Sequence, residues 1–208
     1  MARIIGPKCR VCRRLGVKLF LKGVRCDTVK CAMDKREKPP GQHGDKRVRM
    51  TDFGLHLRET QRAKKQYGLL ARQFRRFFTV AAREPGNTGE MILMLLERRL
   101  DNVLYRLGFA TSRQHARQII THGHVRVNGR RSAIPSLWVR AGDVITPAPR
   151  DRSRKLIAEA MAARKGAELP SWLARKEDPP EGRVVQLPKR ADLGVALDEQ
   201  LIVEFASR

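Results

Sequence analysis

The chain has 208 residues, 41% of them hydrophobic and 5% aromatic, which sizes it as one large domain or two small ones around a mostly aliphatic core and excludes wholesale disorder. Its formal net charge is +23, and a surface that cationic repels itself until a polyanion, nucleic acid or acidic membrane, neutralises it. No run of 18 apolar residues and no apolar stretch after Met1 is present, so neither a spanning helix nor a signal peptide is expected, and a cytosolic or organellar protein is.

Charge is uneven along the chain: residues 1–100 carry a net +16 and residues 101–208 a net +7. Lys and Arg stand singly or in pairs between apolar residues, the pattern of cationic faces on folded elements rather than of a basic tail. All four cysteines fall in the first 31 residues, as Cys9-x2-Cys12 and Cys26-x4-Cys31 with thirteen residues between the pairs. Two close pairs across a short loop can surround one ion tetrahedrally, a geometry zinc accepts with Zn–S of about 2.3 Å. Lys8, Arg10, Arg13 and Arg14 would favour thiolate over thiol and offset the negative charge of the site. The segment is dense in Lys, Arg and Gly, and a metal is expected to supply its folding energy. One structural Zn2+ on Cys9, Cys12, Cys26 and Cys31 is the expectation; an iron–sulfur cluster, disulfides or unlinked thiols are the alternatives.

Pro39-Pro40-Gly41-Gln42-His43-Gly44 predicts a loop, and Asp45-Lys46-Arg47-Val48-Arg49 beside it is either a phosphate grip or an ordinary linker. From Thr51 the pattern turns helical. Thr51 is placed to cap a helix to about Gln66, with Arg58, Arg62, Lys64 and Lys65 as its charges. A second helix over about 70–83 puts Phe74, Phe77, Phe78, Ala81 and Ala82 on one stripe, which reads as packing rather than as base-stacking platforms. Arg72, Arg75, Arg76 and Arg83 take other positions. Pro85-Gly86 breaks this helix, and Asn87-Thr88-Gly89-Glu90 opens the next.

Leu96, Leu100, Val103, Leu104 and Leu107 predict one amphipathic helix ended by Gly108, and Thr111-x-x-Gln114 predicts a capping box for another. Arg113 and Arg117, four apart, share a face near its start, where charge and helix-end N–H groups together favour phosphate. Val125-Arg126-Val127, Ala133-Ile134, Leu137-Trp138-Val139 and Val144-Ile145 read as short strands, with Asn128-Gly129 as a type I′ turn. Ser153 is placed to cap a helix to about Lys165. Val184–Leu187 and Leu201–Phe205 are expected to pair as strands. Arg99-Leu100-Asp101 matches the short catalytic motif of some pseudouridine synthases, but inside an amphipathic helix a structural polar contact is the expected role of Asp101. No phosphate-binding Gly loop, nucleophile elbow or HExxH is present, and no enzymatic activity is expected.

The run Arg99-Leu100-Asp101-Asn102-Val103, Arg106-Leu107-Gly108-Phe109-Ala110, Ser112-Arg113, Ala116-Arg117-Gln118 and Gly123-His124-Val125-x-Val127-Asn128-Gly129 resembles the RNA-binding module named after small-subunit ribosomal protein S-four. Gly6-Pro7, Pro40 to Gly44, Leu57-Arg58-Glu59, Tyr67-Gly68, Gln73-Phe74-Arg75 and Leu201 to Glu204 extend the resemblance over nearly the whole chain to the bacterial ribosomal family itself. The four cysteines are similar to its zinc-bearing branch. The resemblance implies an α+β fold: a mainly helical domain (49–96, completed by 170–208), an inserted module of two helices and a small curled β-sheet (97–169, with its C-terminal helix), and an N-terminal zinc-binding segment and basic loop (1–48).

It further implies a non-enzymatic structural constituent of the small ribosomal subunit, cytoplasmic and not self-associating. Such a protein binds 16S rRNA early, nucleates assembly of the body of the subunit, lines the path by which mRNA enters and contributes to accuracy, with ribosomal proteins S-five, S-three and S-twelve as neighbours. Candidate RNA-contacting residues are Lys8, Arg10, Arg13, Arg14, Lys46, Arg47, Arg49, Arg58, Arg62, Arg72, Arg76, Arg113, Arg117, His122 and Asn128. Asp45 departs from the basic run that faces mRNA in the family. A free RNA-binding regulator or an RNA-modifying protein sharing the module is the alternative.

Overall fold

The computed structural model describes residues 4–46, 49–166, 168–193 and 197–207. It begins with α1 (Lys8–Leu15), a 3-10 turn at Gly23–Asp27 and the single-turn α2 (Ala32–Lys35). Then come α3 (Asp52–Gln66), α4 (Ala71–Ala81) and α5 (Thr88–Glu97). Thr51 caps α3 as expected, its Oγ1 accepting from the Gly54 amide at 3.2 Å. On α4, Phe74, Phe77 and Ala81 are buried, so this part of the apolar stripe is core, whereas Phe78 is half-buried and Ala82, past the helix end, is exposed. Asn87 opens α5, its Oδ1 accepting from the Gly89 amide at 2.9 Å. Contacts divide the chain into two units, 1–92 with 195–208 and 93–194, and the division falls inside α5.

The single helix expected over 96–107 is interrupted. α5 ends at Glu97 and α6 (Leu100–Arg106) restarts after Arg98 and Arg99. Tertiary pairing overrides helix propensity here: the Leu100 amide donates to the Leu137 carbonyl at 2.8 Å and the Val139 amide to the Arg98 carbonyl at 2.9 Å. This one bridge is what becomes of the strands expected at 133–134 and 137–139. α7 (Arg113–Thr121) is capped one residue later than expected, by Ser112. Its Oγ accepts from the His115 amide at 3.2 Å, and Thr111 lies outside the cap.

β1 (Val125–Val127), β2 (Arg130–Arg131) and β3 (Val144–Pro147) follow. At the β1–β2 turn Asn128 and Gly129 have φ of 50° and 75°, the two positive values a type I′ turn needs. α8 (Asp151–Ala163) is preceded by Arg150 at its N-cap, so Ser153 lies in its first turn rather than capping it. β4 (Leu173–Lys176) and β5 (Glu181–Val184) complete an antiparallel sheet in the order β2-β1-β3-β5-β4, with Val144 opposite Arg183 and Leu173 opposite Val184. Leu104, Phe109, Ile120, Val125, Ile145 and Trp172 pack at the centre of its core.

Residues 170–193 therefore belong with the sheet, and of the expected 170–208 completion only the last stretch joins the helical unit. That stretch is α9 (Glu199–Ser207), not a strand. Asp198 Oδ1 accepts from the amides of Gln200 and Leu201 at 3.1 and 3.3 Å, a helix start, and α9 packs along α3. Phe53 meets Phe205 with ring centroids 5.6 Å apart, and His56 Nε2 lies 2.6 Å from Glu204 Oε2. A smaller core of Cys12, Leu15 and Leu19 holds the first segment together. Among the described residues no helix is long and apolar enough to cross a membrane.

Candidate nucleic-acid interface

The helix pair α6 and α7 carries a polar framework that uses most of the charged residues of the 99–117 motif. Asp101 is 5% exposed and is held by both arms of the Arg99 guanidinium, at 3.0 and 2.7 Å. Arg117 Nη1 stands 3.8 Å from the same carboxylate. Glu97 is fully buried and grips Arg106 at 3.0 and 2.9 Å. Asn102 extends the Glu97 set to Arg113, donating to Glu97 Oε2 at 2.7 Å and accepting from Arg113 Nε at 2.8 Å. The Arg113 and Arg164 guanidiniums lie over the Tyr105 ring at 4.6 and 4.2 Å. Arg113 and Arg117 are thus half-buried members of a folding framework, not a free cationic face. Asp101 is ion-paired and inaccessible, as a structural contact should be, and offers no nucleophile. His115 is pushed down by burial; as a neutral ring its Nδ1 accepts from the Thr111 amide at 3.4 Å.

A second cluster surrounds the end of α7. His122, Gly123 and His124 close the helix by a paired turn, with the His124 amide donating to the Ile119 carbonyl at 3.1 Å and the Gly123 amide to the Ile120 carbonyl at 2.9 Å. Gly123 has φ of 74°, the left-handed region that favours glycine, and the Arg131 guanidinium lies directly against the turn, its Nε 2.4 Å from where a Cβ would stand. His122 is exposed, with its ring centroid 6.2 Å from that of His124. His124 Nδ1 meets the Ser153 hydroxyl at 2.9 Å. Burial, then the nearby charges of His122, Arg152 and Arg150, push His124 below its ordinary range. Sequence reasoning named His122 but missed Arg131, Arg150 and Arg152. The signal was present in the alternation of Arg150, Arg152, Arg154 and Lys155 at the α8 start. Asn128 is spent locally: its Oδ1 accepts from the Val144 amide and its Nδ2 donates to Asp143 Oδ1, both at 2.8 Å.

In the first unit the candidate cations fall into two groups. Arg58 donates to the carbonyl of Leu15, the last residue of α1, at 2.6 Å. Arg62 pairs with Glu59 at 3.2 Å, Arg13 Nε donates to the Lys38 carbonyl at 2.9 Å and Lys8 Nζ to the Ile4 carbonyl at 2.6 Å. These four hold the chain. Arg10, Arg14, Lys46, Arg49, Arg72 and Arg76 are exposed; Arg47 lies outside the described residues.

A family model described as Ribosomal protein S4/S9 N-terminal domain matches residues 3–97, and one described as S4 domain matches residues 98–145. The chain is 51% identical over 209 residues to Small ribosomal subunit protein uS4 of Thermus thermophilus and 51% identical over 208 residues to the protein of the same name from Halothermothrix orenii. It is also 51% identical over 208 residues to Small ribosomal subunit protein uS4A of Symbiobacterium thermophilum, and each comparison covers 100% of both chains. The chain belongs to the uS4 family.

The join between the two uS4 family matches, after residue 97, coincides with the helix break at Arg98 and Arg99. The S4 domain match stops within β3, whereas the sheet continues through β5 and β4.

In this uS4 chain Cys9, Cys12, Cys26 and Cys31, all free thiols, line one small pocket with Leu19, Leu21 and Met33. Burial pushes the Cys12 and Cys26 thiols up, so at these two the neighbouring basic residues do not prevail, contrary to expectation. The Lys22 amide donates to Cys26 Sγ at 3.4 Å. Among the described residues no group of three or more His, Cys, Asp or Glu is arranged to hold a metal ion as it stands.

Proposed function

We propose that this chain is a structural constituent of the small ribosomal subunit that binds 16S rRNA. The observation that carries the reading is 51% identity to proteins named for that subunit, over the full length of both chains. The net charge of +23 fits an RNA ligand, and the exposed arginines of α1 and α4, with the cationic turn after α7, supply phosphate contacts. On this reading the protein binds early, nucleates the body of the subunit, lines the path by which mRNA enters and influences accuracy, beside ribosomal proteins S-five, S-three and S-twelve. Lys46 and Arg49 are the residues proposed to face mRNA, although Lys38 pairs with Asp45 at 2.5 Å and so tempers the charge there. The protein acts in the cytoplasm, as a monomer within the particle.

One structural Zn2+ belongs to the proposal. Cys9, Cys12, Cys26 and Cys31 would hold it. Their shared pocket and the backbone N–H donated to Cys26 Sγ suit a four-thiolate site. A bound zinc ion supplies folding energy and leaves no open position for chemistry. An iron–sulfur cluster would use the same residues, and metal analysis of native protein separates the two.

Cosedimentation tests the ribosomal role. The chain should travel with small subunits through a moderate-salt wash. A chain that stays at the top of the gradient while still binding RNA would instead be a free regulator or an RNA-modifying protein.

A further inference from the structure

The His122–His124 turn is a fixed structure surrounded by uncompensated charge. Its two backbone hydrogen bonds to Ile119 and Ile120 fix the chain direction, and the His124 carbonyl accepts from the Ala148 amide at 2.8 Å. Arg131 of β2 lies against Gly123 from one side. Arg150 and Arg152, at the start of α8, act on His124 electrostatically together with His122. Among the described residues no carboxylate forms an ion pair with Arg131, Arg150 or Arg152; Asp151, between the last two, is exposed and makes no such pair. The carbonyl end of α7 offsets part of the repulsion, and an anion would offset the rest.

We propose that this turn, with Arg131, Arg150 and Arg152, is a proton-coupled phosphate site: it takes a phosphodiester of the RNA backbone and a proton onto His124 together. The inference rests on the RNA-binding reading above. His124 Nδ1 lies 2.9 Å from the Ser153 hydroxyl, and Ser153 is fully buried; with Nδ1–H donating to that oxygen, Nε2 is the nitrogen that takes up the proton. Without an anion, burial and then the neighbouring side chains of His122, Arg152 and Arg150 push the ring toward its neutral form. A docked phosphate reverses the sign of the local field and makes the imidazolium the favoured form. Binding then consumes a proton, and affinity rises as pH falls.

The test uses the full chain and a 16S rRNA transcript, with affinity measured by filter binding between pH 8 and pH 6 at fixed salt. Wild type should bind on the order of fivefold tighter at pH 6 than at pH 8. His124→Gln should lose that gain, and His122→Gln should retain it. Calorimetry in two buffers of different ionisation heat should show proton uptake in wild type and less in His124→Gln. Arg131→Gln should weaken binding and reduce the salt slope by about one. Equal pH dependence in wild type and His124→Gln, or none in wild type, overturns the inference while the RNA-binding reading stands. A wild-type chain that binds no 16S rRNA at any pH overturns both.

Discussion

Arginine does two different jobs in this chain. Around α6 and α7, within residues 93–194, it is framework: Arg99, Arg106, Arg113 and Arg117 point into a network of Asp101, Glu97, Asn102 and Tyr105. On α1 and α4 of the other unit, Arg10, Arg14, Arg72 and Arg76 are exposed. The cores differ in the same sense. The sheet unit is closed by large apolar side chains such as Trp172, Phe109 and Ile145, all fully buried, whereas the first segment rests on Cys12, Leu15 and Leu19. A region with a core can use its cations to orient its own helices. On the zinc proposal, the first segment, with its smaller core, borrows stability from the metal.

The largest effect should come from removing that borrowed stability. Chelation, or Cys12→Ser with Cys31→Ser, should abolish amide protection over residues 1–40 and leave 97–145 unchanged in hydrogen exchange. Structural zinc sites in small peptides are worth on the order of 10 kcal/mol. Unchanged protection of 1–40 would sink the zinc proposal. The two forms should also respond oppositely to pH. Zinc binds thiolates, so the loaded segment weakens as pH falls. In the metal-free segment Cys12 and Cys26 are pushed up by burial; that contribution is complete below the ordinary thiol range and is lost as pH rises through the folded-state values.

Next in size is the framework itself. Asp101→Ala leaves the Arg99 guanidinium, 2% exposed, without its bidentate partner, and losing one partner of a buried ion pair costs about 3–5 kcal/mol. Denaturant unfolding of the sheet unit should report it, with zinc content unchanged. A loss below about 1 kcal/mol would mean that the pair behaves as a surface bridge and that the contrast between the two units is overdrawn.

The framework also shows where the sequence was legible. Local signals with one solution were readable: the Thr51 cap, the Asn128-Gly129 turn and the Phe74, Phe77, Ala81 stripe all stand where their residues place them. Errors arose where a distant segment decided the outcome. Arg98 and Arg99 leave a helix to meet Trp138 and Val139, and Leu201–Phe205 is apolar enough for a strand until α3 offers it a helical groove. The Asp198 cap was the missed cue. For the site, residue type announced cations but not their partners. Arg58 and Asn128 were consumed locally by Leu15 and Val144, while Arg131 was brought to the α7 turn by strand pairing no local pattern encodes.

Arg113→Ala should then show a mixed effect. It removes the hydrogen bond to Asn102 and the stack on Tyr105, so stability should fall by about 1–3 kcal/mol. RNA affinity should fall with it, because the helix start is no longer held in place. Arg113→Lys should restore little, since an ammonium reproduces neither the planar stack nor the directed Nε donor. Full rescue by Lys would show that charge alone matters at this position.

The smallest effects should come from the exposed arginines, and they separate the two jobs most cleanly. Arg72→Ala and Arg76→Ala touch no buried partner, so unfolding midpoints should move by less than about 0.5 kcal/mol. If these side chains meet phosphates, each substitution should still lower affinity and reduce the slope of log affinity against log salt by about one. Arg113→Ala should do the reverse, with a larger loss of stability and little change in slope. A common response at all three positions would remove the distinction. Opposite responses would establish that much of the arginine content in this chain serves folding, and that the charge available to RNA is correspondingly smaller than the net +23 suggests.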